Sequence, residues 1–351
     1  MRRVGNIYCK IKDRANIEKA IDKASLGKKK RRDVAKVLEN KEKYVDKICD
    51  MLDSESYVPS EYIIKKIVDG SSNKERIIFK PRFFPDQIIH WAIMLQLEDV
   101  FRRGMYDYTL ASIKNRGIIK GVKYLKKILK ADKKNTKYVL KIDISKYYPS
   151  IDQKILKSKL TRIIKCEQTL NLLNKIIEST SSGIPIGNYC SQWFANFFLQ
   201  DFDHFVKEKL KIKYYIRYMD DMVFFSSNKK TLHKVYFEIE KYLNSLNLKI
   251  KDNWQVFRLD KRFLDFLGYK FYRNHVTIRR RNFIRISRRM RKISKKDKLE
   301  FKDAAAAISY IGWVKHCNSH RFSLKYIRPN ISVLKCKNVI SEYSRKTLSG
   351  I

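Results

Sequence analysis

Two apolar runs that stop at acids constrain this chain most. Residues 212–226 read as two strands broken by Met219-Asp220-Asp221, flanked by Tyr214-Tyr215-Ile216-Arg217-Tyr218 and Met222-Val223-Phe224-Phe225. A third acid, Asp143, closes the short apolar strand Tyr138-Val139-Leu140-Lys141-Ile142-Asp143-Ile144. Strands sharing one sheet would bring these three carboxylates together, where like charges force one to take up a proton unless a cation neutralises them. Two divalent ions about 3.5–4 Å apart are the usual solution for in-line phosphoryl displacement. Magnesium suits such a site, because it accepts one or two carboxylates and completes its shell with substrate phosphates. An Asp-Asp pair is also common in ordinary turns, since Asp bonds to its own backbone there. Buried strands on both sides favour the rigid chemical site.

The rest of the chain is strongly basic. Its 351 residues carry 78 Lys and Arg against 36 Asp and Glu, a net charge of +42. With 44% hydrophobic and 13% aromatic residues it has material for a core, so the excess charge must lie on a folded surface. Such a field destabilises a compact chain unless a polyanion neutralises it, and the expected partner is a nucleic acid. No stretch reaches the roughly 18 apolar residues of a spanning helix, so no membrane partner is expected. The six scattered cysteines lack Cys-x-x-Cys spacing and fit reduced thiols in the cytoplasm. His316-Cys317 with His320 resembles half a zinc site without a second pair of ligands.

Periodicity predicts mixed α and β structure. Lys-rich helices fill the first 55 residues, interrupted by Lys28-Lys29-Lys30-Arg31-Arg32. Two short strands follow within 57–81, around a turn at Asp69-Gly70-Ser71-Ser72-Asn73. Helices are predicted from Pro85 through Phe101, at 117–131, 152–165, 167–179, 190–209 and 229–247. A strand is predicted near 254–259, then a hairpin pairing Phe266–Tyr272 with Val276–Arg279. From residue 276 onward the chain is helical and holds 20 Lys and Arg against 4 acids, eight of those cations within 279–292.

Tyr218-Met219-Asp220-Asp221 resembles the Tyr-x-Asp-Asp box of reverse transcriptases, and Asp143 with Tyr148 resembles the first palm motif of the same family. Ile186-Gly187-Asn188-Tyr189-Cys190-Ser191-Gln192 is similar to the loop between them, and Phe266-Leu267-Gly268-Tyr269 falls at the primer grip. Arg76 with Pro81 matches the fingers motif. The resemblance runs from about 60 to 330 and implies an α+β right-hand polymerase. A basic helical extension at 1–55 would precede fingers with the start of the palm at 56–142. The palm would occupy 143–279, with a fingers insertion at about 152–182, and a basic helical thumb 280–351.

The resemblance further implies an RNA-directed DNA polymerase using two Mg2+, with Mn2+ as a substitute, held by Asp143, Ile144, Asp220 and Asp221. The three aspartates would be the catalytic residues. Arg76, Tyr148, Ile186, Gly187 and Gln192 would bind the deoxynucleoside triphosphate, Tyr148 as the gate against a ribose 2′-hydroxyl; Lys74 and Lys80 are alternatives to Arg76. The thumb helix around 283–296 would hold template RNA and cDNA or primer by phosphates through Arg285, Arg288, Arg289 and Lys292. Families often place a pyrophosphate-protonating lysine near the segment of Trp254; no lysine occupies the matching position, and Lys249 and Lys251 are neighbours.

One departure narrows the resemblance. Most reverse transcriptases have Gln-Gly-x-x-x-Ser-Pro in the central loop; here Ile186 stands for the Gln and Gln192 for the Pro. That form, with Asp252-Asn253-Trp254-Gln255-Val256-Phe257 and Gly312-Trp313-Val314-Lys315-His316-Cys317-Asn318-Ser319, resembles the enzymes of diversity-generating retroelements. These copy a template-repeat RNA with errors at adenine, assisted by a small basic accessory protein. A group II intron-like or phage-defence reverse transcriptase, and a non-catalytic RNA-binding scaffold, are the rival readings.

Overall fold

The computed structural model describes residues 3–68 and 75–348, with side chains through 345. The expected turn at Asp69–Asn73 and the neighbouring Lys74 lie outside the described residues. β1 (Ile63–Val68) and β2 (Glu75–Lys80) form an antiparallel pair with Ile64 opposite Phe79 and Ile67 opposite Arg76. A four-stranded sheet has the order β4-β5-β3-β6, from β3 (Tyr138–Asp143), β4 (Tyr214–Tyr218), β5 (Asp221–Ser226) and β6 (Gln255–Arg258). A three-stranded sheet joins β7 (Leu264–Phe266), β8 (Tyr269–Phe271) and β9 (Val276–Ile278), each antiparallel to the next. The predicted single strand at 266–272 is therefore two strands. Leu267 and Gly268, at φ 53° and 82°, turn the chain between Phe266 and Tyr269, a backbone that forbids a continuous strand.

The chain divides into two compact units. The first contains residues 1–114, 141–224 and 233–255. Its long helix Ile88–Arg102 is apolar almost all round, with Ile89, Ala92, Ile93 and Leu97 buried, because helices cover it on more than one side. Part of that cover is the basic N-terminal segment. Helix Arg14–Ser25 buries Ile17, Ala20, Ile21 and Ala24, and the Asn16 amide donates to the Ala92 carbonyl at 3.1 Å. Helix Tyr189–Phe198 packs against the same helix, with Phe194 and Phe197 edge-on to Phe101. The Lys-rich run is partly anchored here: Lys28 donates to Gln87 Oε1 at 2.7 Å, and Arg31 pairs with Asp33.

The second unit contains residues 115–140, 225–232 and 256–351. Helix Arg280–Ser294 points Ile286, Met290 and Ile293 into a core shared with Ala304, Ala307, Val314 and Phe322. The β7-β8-β9 sheet docks on the next helix, Phe301–Lys315: Tyr269 stacks on Trp313 at 5.6 Å and donates to its carbonyl at 2.9 Å. Val276 and Asn318 exchange two hydrogen bonds of 2.7 and 2.9 Å.

Candidate active site

β3 and β5 are neighbours in the sheet, so the end of one strand and the start of the other carry Asp143 and Asp221 side by side. Asp220 lies in the tight turn between β4 and β5, where Met219 takes φ 55°. A non-glycine residue held in this left-handed region costs about 1–3 kcal/mol and persists only where its surroundings fix it. The Ile144 N–H donates to the Asp220 carbonyl at 3.3 Å, which ties the β4–β5 turn to the end of β3. Beyond Ser145, Lys146 at φ 43° turns the chain into the short helix Tyr147–Ser150.

A lysine reaches these acids from outside the motifs. Ile250 bridges Ile144 in antiparallel fashion, and the Lys251 N–H donates to the Asp143 carbonyl at 2.9 Å. That pairing brings the Lys251 ammonium onto the Asp143 carboxylate in an ion pair. Lys141 Nζ stands 3.5 Å from Asp221 Oδ1. In the sequence Lys251 is only a neighbour of the Trp254 segment; the alternation Leu248-Lys249-Ile250-Lys251 is the signal there for an edge segment with lysines on one face.

The electrostatics are those of too many carboxylates for their cations. Burial, then the charge of Asp143, raises the Asp220 carboxyl well above the usual carboxylate range. Burial likewise pushes Asp221 up to about 7, against the pull of Lys141 and with added repulsion from Asp143 and Asp220. Asp221 Oδ1 faces the Lys141 ammonium, and 28% of the side chain's surface stays open. Among the described residues no group of three or more His, Cys, Asp and Glu side chains is gathered closely enough to hold a metal by itself. Hard cations such as Mg2+ take one or two carboxylates and complete their shell with substrate oxygens, and the carboxylates of Asp220 and Asp221 are donors of that kind.

Beneath the turn lies a buried ion pair. Arg217 and Asp203 have side chains 0% and 1% exposed and are joined at 2.5 Å by Nη2 to Oδ2 and at 2.7 Å by Nε to Oδ1. Tyr215 and Thr109 donate to the same carboxylate at 2.8 Å each. Arg217 Nη1 donates upward to the Met219 carbonyl at 3.2 Å, gripping the strained residue beside Asp220. The cue in sequence was an arginine inside an apolar strand, which burial permits only with a charged partner. Nothing in the sequence pointed to Asp203.

Tyr148 sits at this site, its hydroxyl 3.9 Å from the Met219 sulfur. Burial, then the charge of Asp220, holds its phenol above the ordinary range, while the charge of Arg76 pulls it down, so both groups lie within electrostatic reach. Arg76 is exposed on β2. The loop 183–188 is sewn to the same strand: the Phe79 N–H donates to the Ile186 carbonyl at 2.7 Å. Gly187 is required there, since at φ 134° an added Cβ would stand 2.2 Å from the Phe79 carbonyl oxygen. Gln192 is exposed on helix Tyr189–Phe198.

In the second unit, Phe266 and Tyr269 are buried and Leu267-Gly268 forms the hairpin tip. On helix Arg280–Ser294, Arg288 and Lys292 are exposed, and Arg285 lies over the Tyr310 ring at 5.9 Å. Arg289 is engaged: with Lys296 it pairs at 2.5 Å to Asp303, whose side chain is 2% exposed.

Known proteins bear on this geometry. The family described as "Reverse transcriptase (RNA-dependent DNA polymerase)" matches residues 72–271. A retron Se72 reverse transcriptase of Salmonella heidelberg is 25% identical over 195 residues, covering 54% of this chain and 48% of the relative. A retron Ec73 reverse transcriptase of Escherichia coli is 27% identical over 199 residues, covering 52% and 60%. The chain thus matches about half the length of these relatives. Apo telomerase from Candida tropicalis superposes with a TM-score of 0.52 at 14% identity, covering 84% of this chain and 59% of the telomerase. That likeness bears on the fold, a polymerase fold of mixed helix and sheet. Among the described residues no helix is long and apolar enough to cross a membrane.

Proposed function

The chain belongs to the reverse transcriptase family, and on that premise we propose that Asp143, Asp220 and Asp221 form the centre of an RNA-templated DNA polymerase. The observation that carries this reading is the cluster of half-buried, mutually repelling carboxylates of Asp143, Asp220 and Asp221 at adjacent strand ends. The primer 3′-oxygen attacks the α-phosphorus of a deoxynucleoside triphosphate; the new P–O bond forms as the bond to the bridging oxygen breaks, and pyrophosphate leaves. The three aspartates, with the Ile144 carbonyl, would hold Mg2+, or Mn2+ in its place. Bound there, the ion would lower the pKa of the primer hydroxyl and stabilise charge on the phosphates. The chain's own residues set the geometry. Arg217 holds the Met219 carbonyl and so aims Asp220, while the ion pair with Lys251 orients Asp143.

Carboxyls raised by burial favour folding at low pH, and that contribution is lost as pH rises through the folded values, between 3.8 and about 7 for Asp221. In EDTA the melting temperature should therefore fall from pH 5 to pH 8. Millimolar Mg2+ should raise it more at pH 8 than at pH 5, read by differential scanning fluorimetry. Equal stabilisation at both values would mean that the ion does not use these carboxylates.

Arg76 would contact the triphosphate, and Tyr148 would exclude a ribose 2′-hydroxyl. Its place beside Met219 and within the field of Asp220 supports the latter role. A Tyr148→Ala variant should incorporate ribonucleotides at a rate raised about tenfold or more over wild type, roughly 1.4 kcal/mol of discrimination; single-nucleotide incorporation with rNTPs measures it. Exposed Arg288 and Lys292 on helix Arg280–Ser294 would bind duplex phosphates, giving strong salt dependence.

The finer reading is the mutagenic enzyme of a diversity-generating retroelement, supported by Ile186 and Gln192 in the central loop. Ile186 offers no side-chain hydrogen bond to template or nucleotide, and each one lost shifts discrimination by about 1 kcal/mol, several-fold in error rate. Ile186→Gln should lower the adenine error frequency several-fold, measured by sequencing cDNA; an unchanged frequency sinks this reading. A second reading, a retron-type enzyme, is favoured by the two relatives named as retron reverse transcriptases. A template-repeat and variable-repeat pair beside the gene would decide for the first.

A further inference from the structure

We propose that the cleft lined by Arg3, Asn6, Arg103 and Lys165 is a phosphate-binding site for the backbone of the RNA that the enzyme copies, an inference that rests on the templated reading above. The cleft measures about 630 Å³, and none of its lining residues belongs to the strand ends that carry the acids. Three distant stretches of chain converge to make it. Val4 bridges Ile164 in parallel, with hydrogen bonds of 2.8 Å from the Val4 N–H to the Ile163 carbonyl and from the Lys165 N–H to the Val4 carbonyl. This pairing sets Arg3 and Lys165 at one rim. Arg103, immediately after helix Ile88–Arg102, supplies the third cation, its backbone fixed where the Gln200 amide donates to its carbonyl at 3.1 Å.

No acid lines the cleft, and among the described residues none of the three cations has an ion pair. Three like charges brought together without counterions repel one another, an arrangement that an anion relieves. Cys166 lines the same cleft and is held by local hydrogen-bond donors. Burial pushes its thiol up, yet donors from Thr169, Tyr8 and Ile7 bring it below the ordinary thiol value. Two guanidinium forks with one ammonium suit the oxygens of a phosphodiester. All three cationic side chains are exposed, so a continuous strand can pass across the mouth. A long anion also gains by releasing condensed counterions, which a free phosphate cannot do.

The test compares the full-length triple variant Arg3→Gln/Arg103→Gln/Lys165→Gln with a control triple, Lys230→Gln/Lys234→Gln/Lys241→Gln, which removes exposed lysines from helix Lys229–Ser245. Dissociation constants for a long single-stranded RNA are measured across a KCl series, beside deoxynucleotide turnover on a short primer–template. The cleft variant should weaken RNA binding about tenfold and flatten the slope of log K against log salt by about 1–2, with turnover unchanged. The control should change both by much less. Equal losses in the two variants would overturn the site, since any surface cation would then serve. So would unchanged RNA binding in the cleft variant together with loss of inorganic phosphate binding by calorimetry, which marks a small-anion site instead. Absence of turnover in the wild type would count against the polymerase reading, whatever the RNA curves show.

Discussion

An Asp220→Asn enzyme should lose nucleotide incorporation by about 10³-fold or more, because charge stabilisation at such a centre is worth several kcal/mol and 1.36 kcal/mol is a factor of ten. The substitution keeps the shape of the side chain and removes its charge. RNA affinity should stay within about twofold, since the phosphate contacts that dominate affinity lie on cations elsewhere. Stability should move the other way. Asp220 is raised by burial and by Asp143, so in EDTA at pH 8 its charge opposes folding. The Asp220→Asn protein should melt at or above the wild-type temperature under those conditions, while being inactive. Loss of activity together with loss of stability would instead mark Asp220 as a structural residue.

Arg217→Leu should be the most destabilising single change in the first unit. It leaves the carboxylate of Asp203, 1% exposed, with the hydroxyls of Tyr215 and Thr109 but no counter-charge, a defect that costs about 3–5 kcal/mol. It also frees the Met219 carbonyl and with it the turn that carries Asp220. The double variant Arg217→Leu/Asp203→Leu separates the two effects. Replacing both partners of a buried pair with apolar side chains is often neutral or stabilising, so denaturant unfolding should recover most of the loss. Activity should not return, because nothing then donates to the Met219 carbonyl. A double variant that is both stable and fully active would limit Arg217 to structural support.

The features legible in the sequence were those written in period and in turn chemistry. The run Tyr214–Phe225 declared a hairpin because β-branched and aromatic residues flank a Met-Asp-Asp turn, and Asp143 ended its strand as expected. What could not be read was pairing between distant segments. Lys251 reaches Asp143 through a bridge between Ile144 and Ile250, far apart in the chain, and a register of that kind leaves only a four-residue alternation behind it. Asp203 is silent for the same reason: it sits in a five-residue helix with no pattern of its own. The strand expected at 266–272 is interrupted because Leu267 takes a left-handed backbone that its residue type disfavours, which composition alone does not announce. Within the basic helical extension at 1–55, Ile17, Ala20 and Ile21 are core.

Primer extension on an RNA template with the four deoxynucleotides and Mg2+ tests the central claim most directly. Full-length cDNA is expected from the wild type, none from Asp220→Asn, and none from either in EDTA. Wild-type protein that binds the primed RNA but adds no nucleotide, or an Asp220→Asn enzyme that extends as well as wild type, would contradict it.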